Sequence, residues 1–279
     1  MIDLHMHSFF SDGTYSPEEL VGAGVKARVE AMALTDHDNV AGIPRFLAAA
    51  KQAGIRAISG CEVSADAEKG ALHILAYGVR HEDPVFNERL KWILEGREER
   101  NTEILSRLAR AGIPITMEEV KSFAGSDVIG RPHFAMALIQ RGYAQNKHDA
   151  FSRYLARGRI GHAERRRLPA EDAMTFIREA GGVPSIAHPF SLELDNDRLF
   201  DFCAHLKDHG LMALECYYPE HTPSMTREYV NIANELALIP TGGSDFHGTA
   251  TPDLKIGRGF GKLNIAYETF DRIASAMIR

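Results

Sequence analysis

The stretch Asp3-Leu4-His5-Met6-His7 places two histidines two positions apart in an apolar segment at the start of the chain. On a β-strand, residues two apart point to the same side. His5 and His7 would therefore share one face, while Leu4 and Met6 would point the other way, into a core. Two imidazoles at a strand end are typical of a metal site, although such a pair also occurs for structural reasons alone.

Further segments along the chain carry the same kinds of side chain, mostly after short apolar runs. Asp245 and His247 repeat the spacing of His5 and His7. Glu62 follows an apolar run, where a buried carboxylate usually needs a partner. The candidate ligands are His5, His7, Asp12, His37, Glu62, His73, His188, Asp245 and His247. Together they predict a metal site with several ions at the ends of strands.

These residues resemble the motifs of the polymerase and histidinol phosphatase family, a branch of the amidohydrolase-like metalloenzymes. The resemblance runs from Met1 to about Ile256. The four motifs stand in order as His5-Met6-His7, Thr35-Asp36-His37, Ile186-Ala187-His188-Pro189 and Ser244-Asp245-Phe246-His247. The resemblance implies an α/β fold, a distorted (β/α)7 barrel that holds metal ions at the C-terminal ends of its strands.

The resemblance also implies three divalent ions, with Glu62 as a shared ligand. His5, His7, Glu62 and Asp245 would hold the first ion, Glu62, His73 and His188 the second, and Asp12, His37 and His247 the third. Some family members carry histidine where this chain has Asp12, and a harder oxygen ligand favours Mn²⁺ or Mg²⁺ over Zn²⁺. We therefore expect Mn²⁺, with Zn²⁺, Fe²⁺ and Mg²⁺ as alternatives.

Length and composition set consistent bounds. The chain has 279 residues and 44% hydrophobic content, enough for one large core or for a core with a smaller insert. It has no run of about 18 apolar residues, so no membrane span is expected. The three cysteines form no CxxC spacing. We therefore expect no disulfide framework and a cytoplasmic location.

Strand and helix patterns alternate at both ends of the chain, which predicts a mainly parallel sheet. The middle differs, since residues 84–159 show helical patterns separated by glycines and almost no strand signal. We therefore predict a metal-binding barrel over 1–83 and 160–279, with a helical insertion over 84–159. Insertions after barrel strands emerge on the active-site face, so we interpret this one as a substrate cap. A remote packing domain is the alternative.

The insertion is basic. From Arg131 to Leu168 there are nine basic and two acidic residues, a balance of +7 in a chain of net charge −6. Concentrated positive charge near a metal site indicates an anionic substrate larger than one phosphate. The segment Gly130-Arg131-Pro132-His133 would begin a helix, where free backbone donors favour an anion. A capped helix with a surface arginine is the alternative. The candidate substrate-binding residues are Arg131, His133 and Arg157.

Clustered divalent ions predict hydrolysis of phosphate esters. Such ions bind phosphoryl oxygens and bring the pKa of a bound water close to neutrality. We predict direct in-line attack of metal-bound hydroxide on phosphorus, because neither a GxSxG elbow nor a Walker loop is present. No side chain is assigned as catalytic, although His37 or Asp36 could assist proton transfer.

The insertion resembles the branch of the family that removes the 3′-phosphate from nucleoside 3′,5′-bisphosphates, some members of which trim short oligonucleotides from the 5′ end. We expect this phosphoric monoester or diester hydrolase activity, with a nucleotide bisphosphate or a short oligonucleotide as partner and no obligate protein partner. One alternative is a histidinol phosphate phosphatase, but a cationic amine does not suit a basic insertion. Another is a non-catalytic or proofreading module attached to a polymerase, which the complete ligand set disfavours.

Overall fold

A computed structural model describes residues 1–124 and 128–278, except for the side chain of Ala250, and divides the chain into two compact units. Unit 1 comprises Met1–Leu90 and Leu168–Arg279, and unit 2 comprises Lys91–Arg167. The sequence predicted an insertion over 84–159, so the unit begins and ends somewhat later than expected. Residues 125–127 of the predicted insertion lie outside the described residues.

The eight strands of the described residues all belong to unit 1. They are β1 (Ile2–Asp3), β2 (Ala31–Ala33), β3 (Arg56–Ile58), β4 (Glu62–Ala65), β5 (Leu72–Tyr77), β6 (Val183–Ile186), β7 (Ala213–Tyr217) and β8 (Ile239–Gly242). The α-helices are α1 (Pro17–Ala27), α2 (Ile43–Ala53), α3 (Pro84–Arg110), α4 (Met117–Lys121), α5 (Arg131–Gln140), α6 (Lys147–Ala150), α7 (Ala170–Glu179), α8 (Asn196–Asp208), α9 (Pro223–Glu235) and α10 (Tyr267–Ala276).

The strands form two sheets, in the orders β1-β2-β3 and β4-β5-β6-β7-β8. Most neighbours are parallel, as predicted, but β5 runs antiparallel to both β4 and β6. The prediction missed this reversal, which follows from the short connection 66–71, because a parallel crossover needs about a dozen residues. The fold is therefore a mixed α/β fold. Bridges join Met6 to Phe246 and His37 to Glu62, but no closed sheet is seen in the described part of the chain.

The core of unit 1 explains why the first strand presents its histidines to one side. Leu4 and Met6 are fully buried, as their alternation with His5 and His7 predicts. Helix α1 starts at a capping box in which Ser16 and Glu19 satisfy each other's backbone N–H groups. Helix α2 ends at the cap residue Gly54, whose left-handed backbone suits a glycine.

The regular elements in the described residues of unit 2 are all helices. The helical patterns predicted over 84–159 correspond to α3, α4, α5 and to α6 with the π-helical turn Phe151–Leu155. Its core includes Leu108 of α3, together with Phe134 and Leu138 of α5. This unit therefore has an apolar cluster of its own.

The composition predicts neither a membrane span nor a disulfide framework. Among the described helices, none combines the length and the apolar character needed to cross a membrane. The three cysteines, Cys61, Cys203 and Cys216, are buried and free, so no disulfide is present.

Candidate metal centre

The nine predicted ligands all lie in unit 1, at strand ends or in the loops that follow them. His5 and His7 come directly after β1, His188 after β6, and Asp245 after β8. Glu62 is the first residue of β4. The carboxyl ends of parallel strands meet at one edge, which brings residues far apart in sequence together.

Three groups of these side chains are close enough to hold an ion. Within each group, one ligand atom per residue lies within 4.8 Å of the others. The groups are His5, His7, Glu62 and Asp245; His37, Glu62 and His73; and His7, Asp12, His37 and His247. The first matches the predicted set. The second contains His37 rather than His188, and the third contains His7 in addition. Which residues bind which ion stays a prediction.

Glu62 connects these groups through its two oxygens. Its Oε1 lies 2.9 Å from His73 Nδ1 and 2.9 Å from His188 Nε2. Its Oε2 lies 3.3 Å from His5 Nε2 and 3.0 Å from His37 Nδ1. The carboxylate is buried and divides its oxygens between different imidazoles. This is the arrangement that a bridging ligand requires.

The spacing between ligand atoms fits a divalent ion. His7 Nε2 lies 3.0 Å from Asp245 Oδ1 and 3.2 Å from Glu62 Oε2, and His5 Nε2 lies 3.2 Å from Asp245 Oδ1. Two atoms that each lie about 2.1 Å from one ion, at right angles to each other, are about 3.0 Å apart. The observed separations are therefore those of neighbouring ligands around one ion.

Several of the same atoms are buried without a hydrogen-bond partner. They include His5 Nε2, His7 Nε2, Asp12 Oδ1, His37 Nδ1, Glu62 Oε2 and Asp245 Oδ1. Their short approaches to atoms of opposite charge do not have hydrogen-bond geometry. Because buried polar atoms are normally satisfied, a set of unsatisfied atoms that converge indicates a missing partner. A cation would supply it, so the residues present fit a bound metal.

In His7 and His188, Nδ1 donates a hydrogen bond to a serine hydroxyl, which leaves Nε2 of each ring to face a metal ion. The Ser191 hydroxyl donates to a backbone carbonyl, so it accepts from His188 Nδ1, 3.0 Å away. Ser11 donates to Asp36 and accepts in the same way from His7 Nδ1 at 3.4 Å. A histidine that donates from Nδ1 presents the lone pair of Nε2 to a metal.

Burial and mutual attraction set the charges of the centre. Burial raises the pKa of the carboxyls of Glu62 and Asp245, but the neighbouring imidazoles outweigh it and hold both pKa values well below the usual range. Burial lowers the pKa of His37 to about 3. Burial lowers the pKa of His7, but the neighbouring carboxylates of Asp245 and Glu62 outweigh it and raise that pKa to about 10. The carboxylates stay anionic, so protons and metal ions compete for the same imidazoles.

Other buried carboxylates support the ligand loops. Asp3 accepts hydrogen bonds from the Ser244 hydroxyl at 2.6 Å and from the Gly257 N–H at 2.6 Å. Asp36 accepts from the Ser8 N–H at 2.7 Å and the Ser8 hydroxyl at 2.6 Å. Asp36 was a candidate for proton transfer, but its oxygens are occupied in holding the loop after β1.

Sequence reasoning missed two residues that contact predicted ligands. Glu215 lies 2.9 Å from His5 Nδ1, and the Tyr218 hydroxyl donates to Asp245 Oδ2 at 2.8 Å. Glu215 stands in the apolar run 211–216, which is the same signal that identified Glu62. No comparable sequence signal marks Tyr218.

Unit 2 contains a cluster of four arginines, Arg97, Arg100, Arg131 and Arg167, which we call the arginine cluster. Burial and the charges of the other three lower the pKa of Arg100 to about 9. Arg100 is 6% exposed, and it donates to two neutral oxygens, the Asn101 amide oxygen at 3.0 Å and the Ile129 carbonyl at 3.3 Å. Among the described residues, Arg100 therefore lies beside three like charges and is bonded to neutral oxygens.

The three predicted substrate-binding residues have different surroundings in unit 2. Arg131 belongs to the arginine cluster, and burial lowers its pKa. His133 is buried, and its Nδ1 accepts the Gly130 N–H at 3.0 Å, which completes the helix cap of α5. Arg157 is exposed and is not among the charges that shift the pKa of Arg100 or Arg131. A role in substrate binding stays a prediction for all three.

A mixed α/β unit with a buried histidine and carboxylate cluster at its strand ends defines a class of metal-dependent hydrolases. The family model of the PHP (polymerase and histidinol phosphatase) domain matches residues 3–180. The chain belongs to the PHP family and is a metal-dependent phosphoesterase, which confirms the family predicted from the motifs.

Known proteins similar to this chain have related activities. The 5′-3′ exoribonuclease Rnm of Salmonella typhimurium is 33% identical over 258 residues, covering 92% of this chain and 88% of the relative. The 3′,5′-nucleoside bisphosphate phosphatase of Chromobacterium violaceum is 31% identical over 247 residues, covering 88% and 87%. An amidohydrolase structure from Chromobacterium violaceum, with bound sulfate and no metal, has a TM-score of 0.87 and 28% identity, and the match covers 100% of this chain and 97% of that one.

Proposed function

We propose that this phosphoesterase removes the 3′-phosphate from nucleoside 3′,5′-bisphosphates. The observation that carries the proposal is the 31% identity to a 3′,5′-nucleoside bisphosphate phosphatase over 88% of this chain. A monophosphate needs positive charge only where it reacts, whereas a bisphosphate carries a second anionic group that must also be bound. The arginine cluster of unit 2 has the charge that suits such a group.

The arginine cluster suits a phosphate for electrostatic reasons. Like charges and burial both disfavour the guanidinium of Arg100, and burial disfavours that of Arg131. An anion offsets both effects, because charge-assisted hydrogen bonds to guanidinium are strong and frequently bidentate. A cationic substrate such as histidinol phosphate would add to the repulsion. The cluster therefore favours a substrate with a second phosphate.

The metal-ligand residues suit the reacting phosphate. Three divalent ions, with Mn²⁺ favoured by the oxygen ligand at Asp12, would offset phosphoryl charge and acidify a water molecule. Glu62 holds neighbouring ligand groups at a fixed separation through its two oxygens. Asp245 presents Oδ1 to His5 and His7, while Tyr218 holds its other oxygen. The products of hydrolysis would be a nucleoside 5′-phosphate and inorganic phosphate, without a covalent enzyme intermediate.

Trimming of short oligonucleotides in the 5′ to 3′ direction is a second candidate activity. The observation that favours it is the 33% identity to a 5′-3′ exoribonuclease over 92% of this chain. Both activities break a phosphate ester next to a ribose, so one metal centre could serve both.

A substrate panel with added Mn²⁺ tests the proposal. It compares adenosine 3′,5′-bisphosphate, adenosine 3′-monophosphate, histidinol phosphate and a short 5′-phosphorylated oligoribonucleotide. We expect the highest kcat/KM for the bisphosphate, with release of the 3′-phosphate. Equal rates on the bisphosphate and the monophosphate would show that a second phosphate is not recognised, and preference for histidinol phosphate would establish the alternative. No turnover of any substrate by the metal-loaded protein would favour a non-catalytic module.

A further inference from the structure

Glu215 is a fully buried carboxylate in the middle of β7 that contacts two predicted metal ligands at once. Its Oε1 lies 2.9 Å from His5 Nδ1, and its Oε2 accepts the backbone N–H of His188 at 2.6 Å. His5 and His188 belong to different strand ends, after β1 and β6. One side chain therefore joins two separate parts of the centre.

The contact with His5 determines which nitrogen faces the metal. A carboxylate only accepts hydrogen bonds, so His5 must carry a proton on Nδ1. Its Nε2 then has a lone pair, and this is the atom that lies 3.2 Å from Asp245 Oδ1 and 3.3 Å from Glu62 Oε2. Glu215 thus holds the His5 ring in the form that can bind an ion.

The contact with His188 supports an unusual backbone. His188 has φ 26° and ψ 67°, a backbone conformation that residues other than glycine rarely adopt. Such conformations persist only where the surroundings hold them in place. The hydrogen bond to Glu215 anchors the N–H of this residue, and the ring reaches Glu62 Oε1 at 2.9 Å. The position of the His188 ring therefore depends on Glu215.

We propose that Glu215 is a positioning residue that sets the His5 tautomer and the His188 backbone together. It thereby holds in place both His5, whose Nε2 faces Glu62 Oε2, and His188, whose Nε2 faces Glu62 Oε1. The inference rests on the proposed metal binding, and it adds a residue that none of the family motifs contains.

Glutamine at position 215 cannot replace both contacts, although it has nearly the same size. Its amide has one oxygen that accepts and one nitrogen that donates. If the oxygen faces His188, the NH₂ group faces His5 Nδ1 and favours the tautomer with the proton on Nε2. If the oxygen faces His5, the NH₂ group opposes the N–H of His188. One of the two ligands is misplaced in either orientation.

The test measures Mn²⁺ binding to Glu215→Gln by titration calorimetry, with metal content by elemental analysis, before any substrate is added. The matched control is Glu220→Gln, an exposed carboxylate beyond the end of β7. We expect Glu215→Gln to bind Mn²⁺ about 10- to 100-fold more weakly, the range for partners that orient ligating histidines, and the control to bind normally. We also expect kcat to fall more than KM rises, and metal-free Glu215→Gln to unfold cooperatively.

Each outcome has a distinct meaning. Normal Mn²⁺ affinity and stoichiometry in Glu215→Gln would overturn the inference. If the wild-type protein itself binds no Mn²⁺, the proposed function is refuted instead. If the variant does not fold, NMR of ¹⁵N-labelled histidines in the wild-type protein loaded with Zn²⁺ decides. A proton on His5 Nδ1 supports the inference, and a proton on Nε2 contradicts it.

Discussion

Units 1 and 2 both bury ionisable side chains, but they differ in what surrounds them. In unit 1, the buried imidazoles lie against carboxylates such as Glu62, which is 1% exposed. In unit 2, the buried guanidinium of Arg100 is bonded to neutral oxygens and repelled by other arginines. The first arrangement leaves acidic oxygens and ring lone pairs for a cation. The second favours an anion, because it places like charges beside the buried Arg100.

This difference predicts that the two units bind ligands of opposite charge. A buried charge is costly unless it is paired, so the sign of the charge that predominates around each cluster predicts the sign of its ligand. Changes in unit 1 should therefore alter metal binding first, and changes in the arginine cluster should alter recognition of phosphate.

The largest expected effect is that of Glu62→Gln. The substitution removes the negative charge shared between ligand groups, so we expect loss of bound metal and a loss of activity of at least about a hundredfold. The measurement is elemental analysis of the purified protein together with turnover of adenosine 3′,5′-bisphosphate. Glu68→Gln, at an exposed position after β4, is the control. Full metal occupancy with wild-type turnover would show that Glu62 is not a bridging ligand.

Arg131→Ala should act through the anion rather than through the metal. We expect a fall in kcat/KM for the bisphosphate of roughly ten- to several-hundredfold, with little change for a simple aryl phosphate, because a charge-assisted contact is lost. Metal content should stay normal. The control is Arg141→Ala, an exposed arginine whose Nε pairs with Glu119. Equal losses on both substrates would place Arg131 at the reacting phosphate or in a purely structural role.

Tyr218→Phe should weaken metal binding by a smaller factor. The Tyr218 hydroxyl donates to Asp245 Oδ2 and leaves Oδ1 directed at His5 and His7. Without this contact the Asp245 carboxylate can rotate, and we expect Mn²⁺ affinity to fall about tenfold. Tyr217→Phe removes the neighbouring hydroxyl and is the matched control. The same Mn²⁺ affinity in both variants would mean that Tyr218 does not orient Asp245.

The metal ligands were predictable because local patterns identify them. The two-residue spacing of His5 and His7, and a carboxylate after an apolar run at Glu62, are visible without any tertiary contact. Glu215 shows the second pattern, but its contact with His5 spans 210 positions and no motif lies beside it. Its role emerges only when β1 and β7 are placed in space.

Strand direction and the arginine cluster also depend on three-dimensional contacts. The apolar pattern of β5 is the same for a parallel and an antiparallel strand, and only pairing with β4 and β6 determines its direction. Arg97 and Arg100 are three positions apart in α3, and charged residues at this spacing predict a solvent-exposed face of the helix. Their burial in unit 2 shows otherwise, since they are 8% and 6% exposed.

The smallest expected effect concerns a feature that the two units share. Ser16 caps α1 in unit 1, and Thr116 caps α4 in unit 2, each through a capping box. Ser16→Ala and Thr116→Ala should each lower the free energy of unfolding by about 1 kcal/mol, because one backbone N–H loses its partner. Denaturant unfolding measures this change, and Mn²⁺ titration and bisphosphate turnover provide the comparison. Neither ligand should bind differently, since both caps are exposed hydrogen bonds from a backbone N–H to a side-chain hydroxyl. A fall in Mn²⁺ affinity in Thr116→Ala would show that the stability of unit 2 governs the metal centre, and the separation between the units would then fail.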